Sequence, residues 1–327
     1  TIPDLNDHLQ TLWDSVPAMP KAEANADGQL VGQLDWSLWD AFLDQIEQYG
    51  VIRLHHVPVP TFPKGIEVSE ELKLKSQRNY VNAWFDHMKK YGLDDKNFAF
   101  YVEDETGLTG THENFMKAAK HLKEIDPRLQ VYANPWGAIT KEMLRDMAPL
   151  TDVWQPGMEV IEYHGPEVVD IMRADGDRLI SMYTPPGNCR TLLPLGFFRS
   201  QPWIALNWKI EGGGWWVYRQ DDLFGTGPHG DPSYGGVNWD GRSLVWSRRW
   251  EAMRDGVEDF NAVVFLRDLA EAANDSAALK TIDEAVSSVA SECITGMPRE
   301  AADYDMDFEV FMKHREAIRQ SLERLSE

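Results

Sequence analysis

The chain has 327 residues and carries 53 Asp plus Glu against 32 Lys plus Arg, a formal net charge of −21. That acidic excess argues against an electrostatic grip on phosphate backbones or anionic lipid, which needs Lys/Arg patches, so no nucleic-acid partner is expected. With 43% hydrophobic and 26% charged residues the chain has a globular rather than a disordered composition. No apolar run approaches the ~20 residues that span a bilayer, so no membrane insertion is expected.

Only two cysteines occur, Cys189 and Cys293, which leaves room for one bridge but not for a disulfide scaffold or a multi-cysteine zinc site. The chain starts at Thr1 with no basic-plus-apolar leader, so the expectation is that any targeting segment is removed or never existed. Thirteen tryptophans, as many as the phenylalanines, read either as a large aromatic core or as a groove whose indoles stack on sugar rings.

From about residue 35 helical and strand patterns alternate. Trp39, Phe42, Leu43 and Ile46 form one apolar helical face that Gly50 stops. Val51–Val59 reads as a strand, residues 70–90 as a helix, and Phe98–Val102 as a strand buried on both faces. Next come a helix over Thr111–Ile125 with Thr111 as N-cap, a strand at Gln130–Ala133, a helix at Thr140–Met147 and a short strand at Val153–Gln155. A helix at Glu167–Arg173, a strand at Arg178–Tyr183, a helical turn around Thr191–Arg199 and a strand at Trp203–Trp208 close the series. Six strands separated by helices predict a parallel sheet covered by helices.

No G-x-G-x-x-G turn and no G-x-x-x-x-G-K-[ST] occurs, which removes the main support for dinucleotide and P-loop folds. Polar and aromatic residues instead recur at strand C-termini: His55, Glu105, Asn134, Gln155, Tyr183 and Asn207. In a (β/α)8 barrel those ends meet at one mouth, where active sites sit. The expected fold is therefore a (β/α)8 TIM-type barrel over residues 1–270, irregular at its first strands, with a helical extension over 271–327. A missing strand is sought upstream of Thr1, in Gly28–Leu34 or in Gly236–Trp246. The Gly- and Trp-rich segment Gly212–Gly241 reads as a substrate-facing loop. Arg248–Leu269 reads as a helix turning Trp250, Met253, Val257, Phe260, Val264 and Phe265 to the core, with Gly256 a point of close backbone packing.

The chemistry points to Tyr101-Val102-Glu103-Asp104-Glu105-Thr106-Gly107, three successive carboxylates at a strand end. Like charges this close do not all ionise cheaply, so at least one carboxyl is expected to hold its proton, as protonation of a glycosidic oxygen requires. The stretch FAFYVEDE resembles the Asp-Glu signature of glycoside hydrolase family 123 and its wider relatives, and the segment Ser247–Phe260, SRRWEAMRDGVEDF, resembles their distal Arg-rich motif. The resemblance spans roughly Trp36–Leu269, without the β-sandwich that usually precedes the family's barrel. It implies an exo-acting β-N-acetylhexosaminidase, first of all a β-N-acetylgalactosaminidase, in which the substrate's 2-acetamido oxygen is the nucleophile. Carried over, Asp104 orients the acetamido group and Glu105 is the general acid/base. Because neighbouring strand residues face opposite ways, both can face a mouth only if the strand ends or bulges near Glu103.

Further candidates to contact a glycan are Arg53, His55, Asn134, Trp136, Gln155, Tyr183, Asn207, Trp208, Glu211, Trp215 and Trp216; Arg53, inside an apolar strand, also suits support of the acidic turn. No cofactor and no metal site are expected: His55 and His56 point apart and no H-E-x-x-H occurs. The carboxylates Asp221, Asp222, Asp231 and Asp240 leave a structural Ca²⁺ as a minor reading. Two other functions stay open: a glycosidase using two enzymic carboxylates, Glu105 with Glu211, and a non-catalytic carbohydrate-binding barrel. A secreted or periplasmic setting goes with a polysaccharide substrate.

Overall fold

A computed structural model describes residues 16–45, 51–174, 176, 178–184, 195–215, 219–220, 237–239, 242–293 and 308–326. The fold is mixed α/β. It comprises two compact units, Thr1–Pro156 with Asp170–Leu179, and Gly157–Val169 with Ile180–Glu327.

In the first unit a two-stranded antiparallel hairpin, β1 (Glu23–Ala24) and β2 (Leu30–Val31), precedes helix α1 (Ser37–Leu43). The strand β3 (Ile52–Leu54), helix α2 (Glu70–Met88), strand β4 (Phe98–Tyr101), helix α3 (Thr111–Ile125), strand β5 (Gln130–Ala133), helix α4 (Lys141–Met147) and strand β6 (Val153–Trp154) follow. Each of β3 to β6 is parallel to the next, in chain order. Every residue of β3 is buried, as are Phe98–Phe100 and Val131–Ala133, which explains why these strands are apolar runs rather than alternating ones. Helix α2 starts where Ser69 accepts the Leu72 N–H. Ahead of β6 the Asp152 carboxylate collects Lys123 Nζ at 2.7 Å, the Val131 N–H at 2.8 Å and Arg178 Nη1 at 2.6 Å. That pins the ladder at the end remote from the acidic turn.

The second unit holds helix α5 (Met158–His164), strand β7 (Leu179–Thr184), helix α6 (Leu195–Asn207), strand β8 (Gly212–Trp215) and the helices α7 (Arg248–Ala273), α8 (Ser276–Cys293) and α9 (Phe308–Ser326). Strand β8 runs parallel to β7, with Ser181 beside Gly212 and Tyr183 beside Gly214. A core of Trp203, Val263, Leu266, Ala278, Ile282, Val289, Phe311 and Ile318 joins α6 to the last three helices.

Several expectations need correction. Trp203–Trp208 is no strand: Trp203–Asn207 is the last part of α6, directly after its internal Pro202. A short apolar run has the same pattern in a buried helix as in a buried strand, and Gly196–Leu206 are all buried. The true strand is the glycine run Gly212–Trp215, read as loop because glycine is a poor strand former. Strand β3 stops at Leu54, so His55 and His56 lie past its end. Helix α5 went unread, and α3 has Gly110, not Thr111, as its N-cap. Among the described residues, neither of the two stretches within the chain supplies a further strand to the parallel series. Leu30–Val31 belongs to the antiparallel hairpin, and Val237–Trp239 with Leu244–Trp246 belongs to a separate small sheet. Six parallel strands of this series lie among the described residues, short of a complete (β/α)8 barrel.

Helix α7 buries Trp250 and Met253 as expected, with Phe260 partly buried against the core, but further along its inward face differs from the expected one. Val264 and Phe265 are exposed, whereas Gly256, Asp259, Val263 and Leu266 are buried. The reason is an ion pair between α6 and α7. Arg199 donates from Nε and Nη2 to the Asp259 carboxylate at 2.9 and 3.2 Å, Trp203 Nε1 donates to it at 3.3 Å, and Arg199 and Asp259 are both buried. The pair forms only where the helices approach closely, and Gly256 permits that approach.

A Cβ at Gly256 would lie 2.3 Å from the Arg199 carbonyl oxygen and 3.1 Å from Pro202 Cδ. Gly256→Ala therefore destabilises the chain by about 2 kcal/mol in urea unfolding, overriding the ~1 kcal/mol that alanine ordinarily gains in a helix. A rise in the midpoint would contradict this packing.

Candidate active site

The candidate site grows from the period-two alternation of four strands. Arg53 pairs in register with Ala99, Tyr101 with Tyr132, and Tyr132 with Val153. Side chains two apart share a face, so Arg53, Tyr101, Tyr132, Asn134 and Gln155 lie on one side of the ladder, with His55 continuing the row. Ala99, Tyr132 and Val153 pack there as one apolar cluster with Val51 and Tyr101 against it.

At the C-terminal end of this face stands the acidic turn. Strand β4 ends at Tyr101, two residues before Glu103, and the chain bends through Asp104 into Glu105, whose φ is +46°. A non-glycine residue in the left-handed region is uncommon and costly, and such strain gathers at functional positions. Here three contacts hold it. The Glu105 N–H donates to Asn134 Oδ1 at 3.0 Å, and the Glu105 carbonyl accepts from the Leu108 N–H at 2.9 Å and from Thr111 Oγ1 at 3.0 Å. Thr111, expected as a helix cap, instead ties the turn to the start of α3.

Asn134 is the hinge of the arrangement. While its Oδ1 accepts from the Glu105 backbone, its Nδ2 donates to Asp104 Oδ1 at 3.0 Å. One side chain thereby fixes the carboxylate of the first acid and the backbone of the second. The two roles also settle which amide atom is oxygen. The Tyr101 hydroxyl donates to the same Asp104 oxygen. Asp104 is exposed and Glu105 half-buried, while Thr106 beside them is fully buried, so the turn offers carboxylates outward on a packed base. Gly107 forms a parallel bridge with Gly137, and a Cβ on Gly107 would stand 1.9 Å from the Trp136 carbonyl oxygen. The acidic turn and the Trp136 loop are thus in backbone contact, with the Trp136 side chain half-buried.

Beneath the turn lies a buried layer. Arg53, 5% exposed, places its guanidinium 4.3 Å from the Tyr101 ring centre and 5.6 Å from that of Tyr132. The two tyrosine rings meet edge-to-face at 5.4 Å, and the His55 ring lies 6.0 Å from Tyr101. Tyr132 donates to Gln155 Oε1. Burial pushes the hydroxyls of both tyrosines well above the usual phenol range; for Tyr101 the bond to Asp104 adds to this and Arg53 opposes it. Tyr101 therefore remains a hydrogen-bond donor at any physiological pH. Sequence reasoning gave Tyr101 and Tyr132 no role. The signal was their shared period-two face with Arg53.

The ladder thus brings Arg53, His55, Asp104, Glu105, Asn134, Trp136 and Gln155 together in the first unit. Candidates of the second unit stand differently. Tyr183 is buried near the C-terminal end of β7 and bridges Gly157. Asn207 ends α6 and Trp208 follows it in a turn, both before β8 and not after a strand. Glu211 lies there too. Its N–H donates to the Ile180 carbonyl and its Oε2 accepts the Ile180 N–H, both at 2.8 Å, so its carboxylate serves the β7 backbone at the N-terminal end of β8. Trp215 ends β8, while Trp216, Cys189 and the aspartates Asp221, Asp222, Asp231 and Asp240 fall outside the described residues. Among the described residues no group of three His, Cys, Asp or Glu could hold a metal ion, and no helix is long and apolar enough to cross a membrane.

The strained turn makes a prediction independent of any substrate. Glu105→Ala and Glu105→Gly both remove the carboxylate, but only alanine keeps a Cβ in the left-handed region. The glycine variant is therefore the more stable by about 1 kcal/mol in urea unfolding, the reverse of the usual order. An alanine variant at least as stable would show the turn to be unstrained.

No protein-family model matches the chain, and no curated protein matches it in sequence. Among solved structures it is similar to a family 123 glycoside hydrolase from Clostridium perfringens, known from a structural analysis of glycolipid glycan hydrolysis. Identity is 12%, the TM-score is 0.60, and the match covers 96% of this chain and 59% of that one. The chain therefore shares its fold with a family 123 glycoside hydrolase over nearly its whole length, and spans less than two thirds of that protein.

Proposed function

We propose that the chain is an exo-acting glycoside hydrolase that removes a terminal β-linked N-acetylhexosamine, N-acetylgalactosamine first, with retention of configuration. The observation that carries this reading is the joint hold of Asn134 on the Asp104 carboxylate and the Glu105 backbone at the C-terminal end of a parallel strand. The fold shared with a family 123 glycoside hydrolase supports it.

In this mechanism the acetamido oxygen of the substrate attacks the anomeric carbon and the glycosidic C–O bond breaks. Asp104 accepts the acetamido N–H, turning the carbonyl oxygen toward the anomeric centre and stabilising the cationic oxazolinium ion. Glu105 gives its proton to the departing oxygen, then takes one from the water that opens the ring. Two neighbouring carboxyls suit this division of labour, because neither has to form a covalent bond. The rival with Glu211 as second carboxylate is weakened by the bond from the Ile180 N–H. A non-catalytic carbohydrate-binding fold would bind glycans and hydrolyse none.

Glu105→Gln lowers kcat/KM on alkyl or sugar aglycones by about 100- to 10,000-fold and on nitrophenyl aglycones far less, since only the former need a proton. Asp104→Asn damages both classes alike. A 2-methyl-thiazoline of the sugar, shaped like the cyclic intermediate, inhibits strongly. Equal losses on both aglycones for Glu105→Gln would remove it as the acid.

A further inference from the structure

Arg53 is buried beneath the acidic turn, and its surroundings suit it to a supporting task. A cation set against a tyrosine ring attracts its π face, and in a desolvated layer that attraction is large. It also draws electron density from the ring and makes the hydroxyl a stronger donor. Tyr101 has its ring nearest to Arg53 and its hydroxyl on Asp104 Oδ1, the atom that Asn134 Nδ2 also reaches. Two donors converging on one carboxylate oxygen from different strands fix the rotation of the group. Among the described residues no donor reaches the other oxygen, Oδ2, which is left for an incoming N–H.

We propose that Arg53 and Tyr101 are positioning residues for the reaction: the guanidinium holds the Tyr101 ring, and the Tyr101 hydroxyl holds Asp104 with Oδ2 presented to the acetamido group of the substrate. This rests on the role given to Asp104 above and adds the residues that set its orientation. Tyr132, held by the same guanidinium and anchored on Gln155, completes the support.

The test is a double-mutant cycle read by kinetics on nitrophenyl and alkyl β-N-acetylhexosaminides. Tyr101→Phe keeps the ring on Arg53 and removes only the hydroxyl. It lowers kcat by about 10- to 100-fold, the range for one hydrogen bond to an ion, with KM within about twofold. The loss is equal on both aglycones, because the acid Glu105 is untouched. In an Asp104→Asn background the same change costs less than about twofold, since the carboxylate it served is gone. Arg53→Met shows the same pattern, and Arg53→Lys, which keeps the charge, recovers part of the loss. A merely structural role would lower thermal stability, penalise alkyl aglycones further and add its full effect in the Asp104→Asn background. Undiminished turnover by Tyr101→Phe, or full additivity with Asp104→Asn, overturns the proposal. Should Asp104→Asn itself retain full turnover, the proposed function falls instead.

Discussion

One asparagine side chain organises the candidate site. Asn134 has a donor and an acceptor on the same planar amide, and it uses them on two consecutive residues: the side chain of Asp104 and the main chain of Glu105. Two carboxylates adjacent in sequence would point apart along an extended strand and repel each other wherever they met. Ending β4 at Tyr101 and twisting Glu105 to a positive φ removes the first obstacle, and the hydrogen bonds from Asn134 and Tyr101 offset the second at Asp104. Left alone, the turn would relax to an ordinary conformation. The strain is held by bonds from β5 and α3, elements that the chain folds for other reasons.

Those reasons are apolar. The strands β3 to β6 form a parallel ladder buried on both faces, so their register follows from side-chain packing, and the register brings Asn134 opposite the acidic turn. Within the same face the chain buries an arginine, an expensive choice, and sets two tyrosine rings against its guanidinium. In the second unit a different solution appears. Arg199 and Asp259 form a bidentate buried pair that Gly256 allows to close, so Gly256 and Asp259, both within the segment Ser247–Phe260, serve as one half of a clasp between two helices.

What was legible in the sequence follows from the same physics. Phe98–Tyr101 and Gln130–Ala133 announced themselves because a strand buried on both faces must be an apolar run, and the acidic turn announced itself because three carboxylates in a row are conspicuous. Trp203–Asn207 misled because a buried helix can carry the same apolar run, with Pro202 no bar to it. The strand at Gly212–Trp215 was hidden because its identity lies in pairing with β7, which is tertiary information, and not in its glycines. The candidate residues Asn134 and Gln155 came from the simple rule that polar groups at strand ends face a mouth. Tyr101 and Tyr132 escaped because aromatic strand residues normally fill cores, and only their distance to Arg53 and their bonds to Asp104 and Gln155 distinguish them.

The account centres on a carboxylate held ready for an amide, so it is tested most directly by the substrate's 2-position. Turnover of nitrophenyl N-acetyl-β-galactosaminide should be compared with that of nitrophenyl β-galactoside, which differs only in carrying a hydroxyl where the other carries the acetamido group. If Asp104 and the acetamido oxygen share the chemistry, the first is hydrolysed at least about 1,000-fold faster, because the second lacks the internal nucleophile. Comparable rates on the two sugars would contradict the account.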